Sequence, residues 1–243
     1  MRRILFSFLT IGFVFLLALA CSEDEPTAPI PAVPAKVLIL EDGGTEDSLF
    51  KILDSAGFDV TLGGLFQNYT GTNFSAYDLV ILLNGFDFSY EMVDSVELGL
   101  KNYVTGGGVL LVTEWMCYTI VHFGFNLILD SILPVESDGH SVGGVETYYK
   151  ESNHDITAGL PDSFVTKATW SISEVFPNSR TQTTDYTVLF SGKSYGGAAM
   201  TMGTLGSGRV IHWSMAGQFG GPDIWIPEVR RLFINIAAFS KTI

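Results

Sequence analysis

A carboxylate and an imidazole lie at the ends of two segments whose composition predicts buried strands, and together they could transfer protons. Glu114 follows the apolar run 109–112, and His212 lies within the run 209–214. A carboxylate and an imidazole within hydrogen-bond reach of each other can act as a general acid and base. Two simpler roles stay open. Glu114 could be an acid at a helix N-terminus, where the helix dipole favours negative charge, and His212 could be a buried, hydrogen-bonded histidine.

Other polar residues follow the predicted strands at the same edge of the predicted sheet. Ligands of open α/β sheets bind just beyond the carboxyl ends of parallel strands, so we expect a pocket there. Its acids could bind a cation or a sugar hydroxyl, or could form a solvated capping loop. The predicted pocket residues are Glu41, Asp42, Asn84, Gly85, Thr113, Glu114, Trp115, His212 and Ser214.

The remaining histidines and cysteines form no motif for a metal or a cofactor, and we predict neither. His154-Asp155 is interpreted as a turn before a helix or strand, and no Cys/His cluster has zinc-site spacing. Four aromatic side chains near the predicted pocket could stack on a sugar or simply belong to the core. They are Trp115, Trp213, Phe219 and Trp225.

The elements that would hold these residues alternate between short apolar runs and amphipathic segments. Strands are predicted at 36–42, 58–62, 77–83 and 109–113, with helices in between. Such alternation is typical of a mostly parallel sheet covered by helices on both faces. We therefore expect an α/β fold, a flavodoxin-like three-layer sandwich, whose central strand follows the glycine turn 106–108.

The second half of the chain has a different pattern. Residues 116–133 are apolar and predict one helix, whereas 135–186 are mixed and indicate an insertion or edge hairpins. Three strand-like runs then follow closely, at 187–191, 198–205 and 209–214, and glycine turns separate them. This spacing predicts an antiparallel edge. A last helix should begin at Pro227, a residue favoured at the first helical position.

The amino-terminal segment predicts export. Arg2 and Arg3 precede a 17-residue uncharged run, 4–20, and small Ala20 precedes Cys21. This is the layout of a signal peptide spanning 1–20. The alternative is an uncleaved membrane anchor, because 17 residues reach the lower limit for a spanning helix.

An acidic and proline-rich linker, 21–35, should separate the signal from a domain at 36–243. Removing 1–20 leaves 11 Lys+Arg against 26 Asp+Glu, a formal charge of −15. A chain this acidic is an unfavourable partner for nucleic acid and for anionic lipid surfaces. The acidic residues 22–25 could be a solvated linker or resemble the surface-export signal of some lipoproteins.

The sequence Ala18-Leu19-Ala20-Cys21 resembles the bacterial lipoprotein signal, in which the cysteine is lipidated. The resemblance implies a membrane anchor through Cys21 and a place in the bacterial cell envelope, in the outer membrane with a periplasmic or surface face. Cys117 would then be the single free thiol, so no disulfide framework is expected.

Four further segments, 77–85, 106–114, 153–161 and 206–212, resemble the class I glutamine amidotransferase-like fold, in its trehalose-utilisation-like and carbohydrate-associated branch. Active members carry a cysteine after the central strand, a histidine on a late strand and a glutamate two residues later. His212 matches the histidine. Thr113 or Glu114 occupies the cysteine position and Ser214 the glutamate position. Cys117, about one helical turn further on, is predicted to be buried and to point elsewhere.

The leading hypothesis is therefore an envelope-anchored lipoprotein whose degenerate, non-catalytic domain binds a ligand or a partner. A carbohydrate or an envelope protein would be that partner. The alternative is a hydrolase or carbohydrate-modifying enzyme that uses Glu114 and His212, and a third possibility is a structural component of an envelope complex.

Overall fold

The computed structural model describes residues 33–43, 46–86, 89–113, 115–166, 169–175, 178–192, 197–216 and 222–243. The predicted signal peptide, Cys21 and most of the linker lie outside the described residues, as does Glu114. In the part of the chain that is described, no helix is both long and apolar enough to cross a membrane.

The first half of the chain alternates strands and helices, as its apolar pattern predicts. The elements are β1 (Lys36–Glu41), α1 (Glu46–Ser55), β2 (Asp59–Leu65), β3 (Leu79–Leu83), α2 (Asp94–Thr105) and β4 (Val109–Thr113). Strands β1, β3 and β4 are buried along almost their whole length, which explains their continuous apolar runs.

The second half contains most of the strands. Its elements are α3 (Trp115–Phe123), α4 (Leu127–Asp130), β5 (Glu136–Gly144), β6 (Thr147–Lys150), β7 (Ser163–Val165), β8 (Thr169–Val175), β9 (Thr184–Gly192), β10 (Ala198–Leu205), β11 (Gly208–Trp213), β12 (Met215–Ala216) and α5 (Pro227–Ser240). The mixed stretch 135–186 thus supplies four strands and the start of a fifth.

The strands form a nine-stranded sheet in the order β2-β1-β3-β4-β11-β10-β9-β6-β7. The first five are parallel neighbours, with β11 as the fifth strand, which is the flavodoxin-like order. The pairs from β11 to β7 are antiparallel. Both the fold class and the antiparallel side are confirmed, although that side is wider than the three predicted strands.

Helices cover the two faces of the parallel region and divide the core in two. One hydrophobic cluster lies beneath α1 and α5 and includes Val37, Ile39 and Trp213. The other lies beneath α2, α3 and α4 and includes Leu38 and Leu40. Consecutive strand residues point to opposite faces, so neighbouring residues of one strand enter different clusters.

A smaller sheet of three strands, in the order β12-β8-β5, lies beside the main one. It packs through β5 against α3 and through β8 against β10. Part of the region predicted as an insertion therefore lies next to α3 and the antiparallel strands.

The single helix predicted over 116–133 is wrong, because the backbone turns at its middle. Gly124 and Asn126 have positive φ angles of 69° and 56°, which the right-handed helix does not allow. The Asn126 side chain accepts the Met92 N–H (2.8 Å) and donates to the Tyr90 carbonyl (3.3 Å). These bonds tie residues 90–92 to Asn126, and α2 begins at Asp94.

Glu97 in α2 is buried and ties α2 to α4. Its Oε2 accepts the Leu129 N–H at 2.8 Å. Burial raises the pKa of Glu97 to about 7, against an ordinary value of 4.5, and the hydrogen bond from Leu129 opposes that rise. The folded protein therefore holds this proton more tightly than the unfolded chain does.

We expect the contribution of Glu97 to the stability of the protein to fall as the pH rises from about 4.5 to about 7, because the unfolded chain releases the Glu97 proton first. Glu97→Gln removes this ionisation and keeps an acceptor oxygen. The stability of the variant relative to the native protein should rise by roughly 1–3 kcal/mol across that interval. Urea unfolding at a series of pH values measures the difference. Glu228→Gln, in α5 on the other side of the sheet, is the control, and an identical difference for both variants contradicts the prediction.

Candidate functional site

The carboxyl ends of the four neighbouring strands β1, β3, β4 and β11 lie in register. Glu41 pairs with Leu83, Leu82 with Val112, and Val112 with His212. The residues that directly follow these paired positions therefore meet at one edge of the sheet. The edge residues Glu41, Asp42, Asn84, Gly85, Thr113, His212 and Ser214 are all buried, whereas Trp115 is half-buried.

Thr113 joins β4 to β3 through its hydroxyl. The Asn84 N–H donates to Thr113 Oγ1 at 2.8 Å, and this hydroxyl donates to the Leu82 carbonyl at 3.2 Å. The Trp115 N–H in turn donates to the Asn84 carbonyl at 3.1 Å, which fixes the start of α3. The Thr113 hydroxyl thus bonds to the backbone at the end of β3 both as an acceptor and as a donor.

The two acids after β1 bind backbone amides. Asp42 Oδ2 accepts the Phe86 N–H at 2.8 Å, and Glu41 Oε2 accepts the Gly43 N–H at 2.6 Å. The Asp42 bond connects the loop after β1 with the loop after β3, whereas the Glu41 bond is local. Both acids are buried rather than solvated. Among the described residues, no group of three or more His, Cys, Asp or Glu side chains could hold a metal ion.

Cys117 contacts His212, which corrects the expectation that its thiol points elsewhere. Cys117 Sγ lies 3.2 Å from His212 Nε2 and 3.8 Å from the Val135 carbonyl oxygen. Along β11, Val210 faces the cluster beneath α3 and Ile211 faces the other cluster, so His212 returns to the α3 side. The first turn of α3 directs Cys117 into the same cluster. Strand alternation and helix geometry together produce the contact.

The burial predicted for Cys117 is confirmed, since the residue is 2% exposed and His212 is 0% exposed. A thiol and an imidazole at this distance can exchange a proton, which is the first requirement of an activated thiol nucleophile. Strand alternation was already visible in the sequence around His212. The inward rotation of α3 was not, because residues 116–120 contain apolar and polar side chains without a clear polar face.

The predicted pair of Glu114 with His212 remains a prediction, because Glu114 lies outside the described residues. Ser214, at the glutamate position of the resemblance, is 3% exposed, and its N–H donates to the Ala199 carbonyl at 2.8 Å. A serine hydroxyl carries no negative charge, so it cannot stabilise an imidazolium ion as a carboxylate does.

The four aromatic candidates have different surroundings. Trp213 is 1% exposed and packs on Phe233, with ring centroids 5.2 Å apart, so it belongs to the core. Trp115 is half-buried and meets Tyr118 edge to face at 5.1 Å. Trp225 is 55% exposed. Phe219 lies outside the described residues.

His154 forms the predicted turn. Its Nδ1 accepts the Ile156 N–H at 3.1 Å and caps a short 3-10 helix, Asp155–Thr157. Its ring packs edge-on against Phe239. Burial lowers the pKa of His154, which favours the neutral imidazole that this capping bond requires.

A cavity of about 310 Å³ lies at the opposite, amino-terminal edge of the sheet and is lined by Tyr77, Asp78, Tyr103 and Lys241 among others. Its charged groups Asp78 and Lys241 pair at 3.2 Å, and Asp78 also accepts the backbone N–H of Lys36 at 2.8 Å. These bonds close the base of the fold and give the cavity a structural explanation.

No protein-family model matches this sequence, and no curated protein sequence matches it either. Solved structures do match. A ThuA-like protein from Parabacteroides merdae aligns with a TM-score of 0.65 and 15% identity, over 86% of this chain and 90% of that chain. A cytoplasmic protein from Salmonella typhimurium aligns with a TM-score of 0.62 and 16% identity, over 84% of this chain and 98% of that chain.

A cold-adapted β-galactosidase from a Rahnella species aligns with a TM-score of 0.60 and 16% identity, over 86% of this chain but 31% of that chain. Identities this low show a shared fold alone. ThuA-like proteins have the class I glutamine amidotransferase-like fold. The resemblance read from the four sequence segments is therefore confirmed for the fold.

If the imidazole assists the thiol, His212→Gln should slow alkylation of Cys117 by iodoacetamide at least tenfold, within the roughly 10²–10⁴-fold that a positioned base contributes. Peptide mass spectrometry of the native protein separates the Cys117 adduct from any other thiol adduct. His122→Gln, on the exposed end of α3, is the matched control. Equal rates for the native protein and His212→Gln would show that the contact has no chemical role.

Proposed function

We propose that this protein is an envelope-anchored lipoprotein whose amidotransferase-like domain binds a carbohydrate at the carboxyl edge of its sheet and does not perform the amidotransferase reaction. The observation that carries this proposal is the commitment of the edge groups to the backbone. Thr113, Asp42 and Glu41 each bind main-chain groups, and Ser214 stands where the orienting glutamate would be. The edge is thus rigid and polar, which suits binding.

The choice of a carbohydrate as ligand has two supports. Structures with this fold include a ThuA-like protein and a β-galactosidase. In the β-galactosidase, the aligned region makes up less than a third of the chain. At the edge itself, the backbone N–H of the half-buried Trp115 donates to the backbone carbonyl of the buried Asn84, so an aromatic and an amide side chain branch from hydrogen-bonded positions of the backbone. An aromatic ring next to polar groups is the usual composition of a small-ligand site.

The envelope location rests on the amino-terminal sequence, where the uncharged run 4–20 ends at Cys21. Several acyl chains on one cysteine bind a membrane firmly, because each buried CH₂ contributes about 0.8 kcal/mol. The acidic and proline-rich residues that follow would hold the domain away from the bilayer. The cytoplasmic location of the Salmonella protein belongs to that chain and does not carry over at 16% identity.

A second candidate function is thiol chemistry at Cys117, which the 3.2 Å contact with His212 Nε2 favours. The thiol proton would pass to Nε2 as Sγ forms a bond to an electrophilic carbon of the substrate. The imidazolium would then return the proton to the leaving group. This mechanism does not require Glu114, whereas the hydrolase hypothesis based on Glu114 and His212 does.

For the lipid anchor, we expect Cys21→Ala to abolish incorporation of radiolabelled palmitate in bacterial cells. The matched control is Cys117→Ala, which keeps the lipidation site and should still be labelled. Fractionation of the same cells should place the native protein in the membrane pellet. Palmitate labelling that persists in Cys21→Ala would refute the lipoprotein assignment.

For the ligand, we expect trehalose or lactose to raise the melting temperature of the detergent-solubilised full chain. A ligand at about 100 times its Kd adds about 2.7 kcal/mol, which corresponds to roughly 5 °C or more for a chain of this size. Ser214→Ala, at the carboxyl edge, should reduce this rise. Ser75→Ala, before β3 at the opposite edge, should not. If no sugar in a wider panel raises the melting temperature, the carbohydrate proposal fails and a structural role in an envelope complex is favoured.

A further inference from the structure

Thr201 in β10 carries a buried hydroxyl whose partner the fold does not explain. The residue is 0% exposed, and its Oγ1 has no hydrogen-bond partner among the residues that the structure describes. A buried hydroxyl without a partner destabilises a protein, because it has lost its bonds to water. A valine has nearly the same shape and would avoid this penalty. A functional role for the hydroxyl would explain why a threonine is present.

The residue directly opposite Thr201 in the sheet is His212. Strands β10 and β11 are antiparallel, and their register pairs these two residues. Directly opposed residues of an antiparallel pair point to the same face, with Cβ atoms about 4.5–5.5 Å apart. The Thr201 side chain therefore lies beside the imidazole, on the face that α3 and Cys117 cover.

The protonation of the imidazole decides whether it can assist the thiol. Cys117 faces Nε2 at 3.2 Å, so Nε2 must be unprotonated to accept the thiol proton. In a neutral imidazole the proton then resides on Nδ1, and a buried N–H needs an acceptor. A hydroxyl oxygen offers two lone pairs for this purpose.

We propose that Thr201 is the positioning residue of His212. Its hydroxyl accepts the Nδ1–H bond and so holds the tautomer whose Nε2 takes the Cys117 proton. When that proton moves from Sγ to Nε2, Nδ1 keeps its hydrogen and its bond to Thr201, and the sulfur is left as a thiolate. This inference rests on the thiol–imidazole pair of the second candidate function.

Thr201 would take the orienting role from a neighbouring strand rather than from the strand of the histidine. The family pattern places a glutamate two residues after the histidine, and that position is Ser214, whose N–H is bonded to Ala199. The bond to Nδ1 forms when Thr201 adopts the χ1 rotamer that turns its hydroxyl towards the imidazole.

The test compares Thr201→Val, which keeps the shape and removes the hydroxyl, with Thr201→Ser, which keeps the hydroxyl. The first readout is the tautomer of His212, from its ¹⁵N chemical shifts in the full chain. The second is the rate of Cys117 alkylation by iodoacetamide. We expect the Nδ1–H form in the native protein and in Thr201→Ser. In Thr201→Val we expect more of the Nε2–H form and alkylation slower by roughly tenfold.

Urea unfolding provides a readout that separates the proposed role from an idle hydroxyl. Losing a bond to His212 should lower the unfolding midpoint of Thr201→Val, whereas removing an unbonded buried hydroxyl should raise it. An unchanged tautomer and an unchanged rate in Thr201→Val overturn the inference while leaving the thiol–imidazole pair intact. If His212→Gln itself leaves the alkylation rate unchanged, the pair fails as well, and the two failures are distinguishable.

Discussion

The parallel pairing of β11 with β4 is the contact on which the rest of this structure depends. It joins residues 209–213 to residues 109–113, about a hundred positions apart in the chain, and makes β11 the fifth parallel strand. It also leaves β11 with a second edge, to which the antiparallel strands β10, β9, β6 and β7 are added in turn. One strand thus connects the flavodoxin-like half of the sheet with the antiparallel half.

The same pairing determines the chemistry of the candidate site. Alternation along β11 directs His212 to the side of α3, while Trp213 enters the opposite cluster. Because α3 starts at the end of β4, its first turn lies above β11 and brings Cys117 to the imidazole. Thr113 keeps the start of this helix in place through Asn84. A polar group at the strand end is therefore used to build the site rather than to react in it.

The contacts differ from the arrangement that the sequence resemblance implied. A thiol reaches the late-strand histidine from within a helix rather than from the turn after the central strand. The position two residues after the histidine carries a hydroxyl, Ser214, and the directly opposed residue of β10 carries another, Thr201.

Much of the fold was predictable from the sequence by itself. The buried strands β1, β3 and β4, the helices between them and the start of α5 at Pro227 follow from apolar runs, helical periodicity and turn residues, which are local properties. The signal-like amino terminus and the net charge are also read directly from the residues. The limits of local signals show at Asn126, where a left-handed residue and a bond to Met92 break a helix that composition favoured.

Only the tertiary structure decided which polar residues meet. The sequence predicts Cys117 away from His212, because spacing gives the helical turn but not the rotation of α3 over β11. The relation of Thr201 to His212 exists only through the register of two antiparallel strands. Residue types and their spacing therefore determined the fold class and the strand ends of this protein. The relative placement of α3, β10 and β11, which depends on packing between distant segments, determined its candidate site.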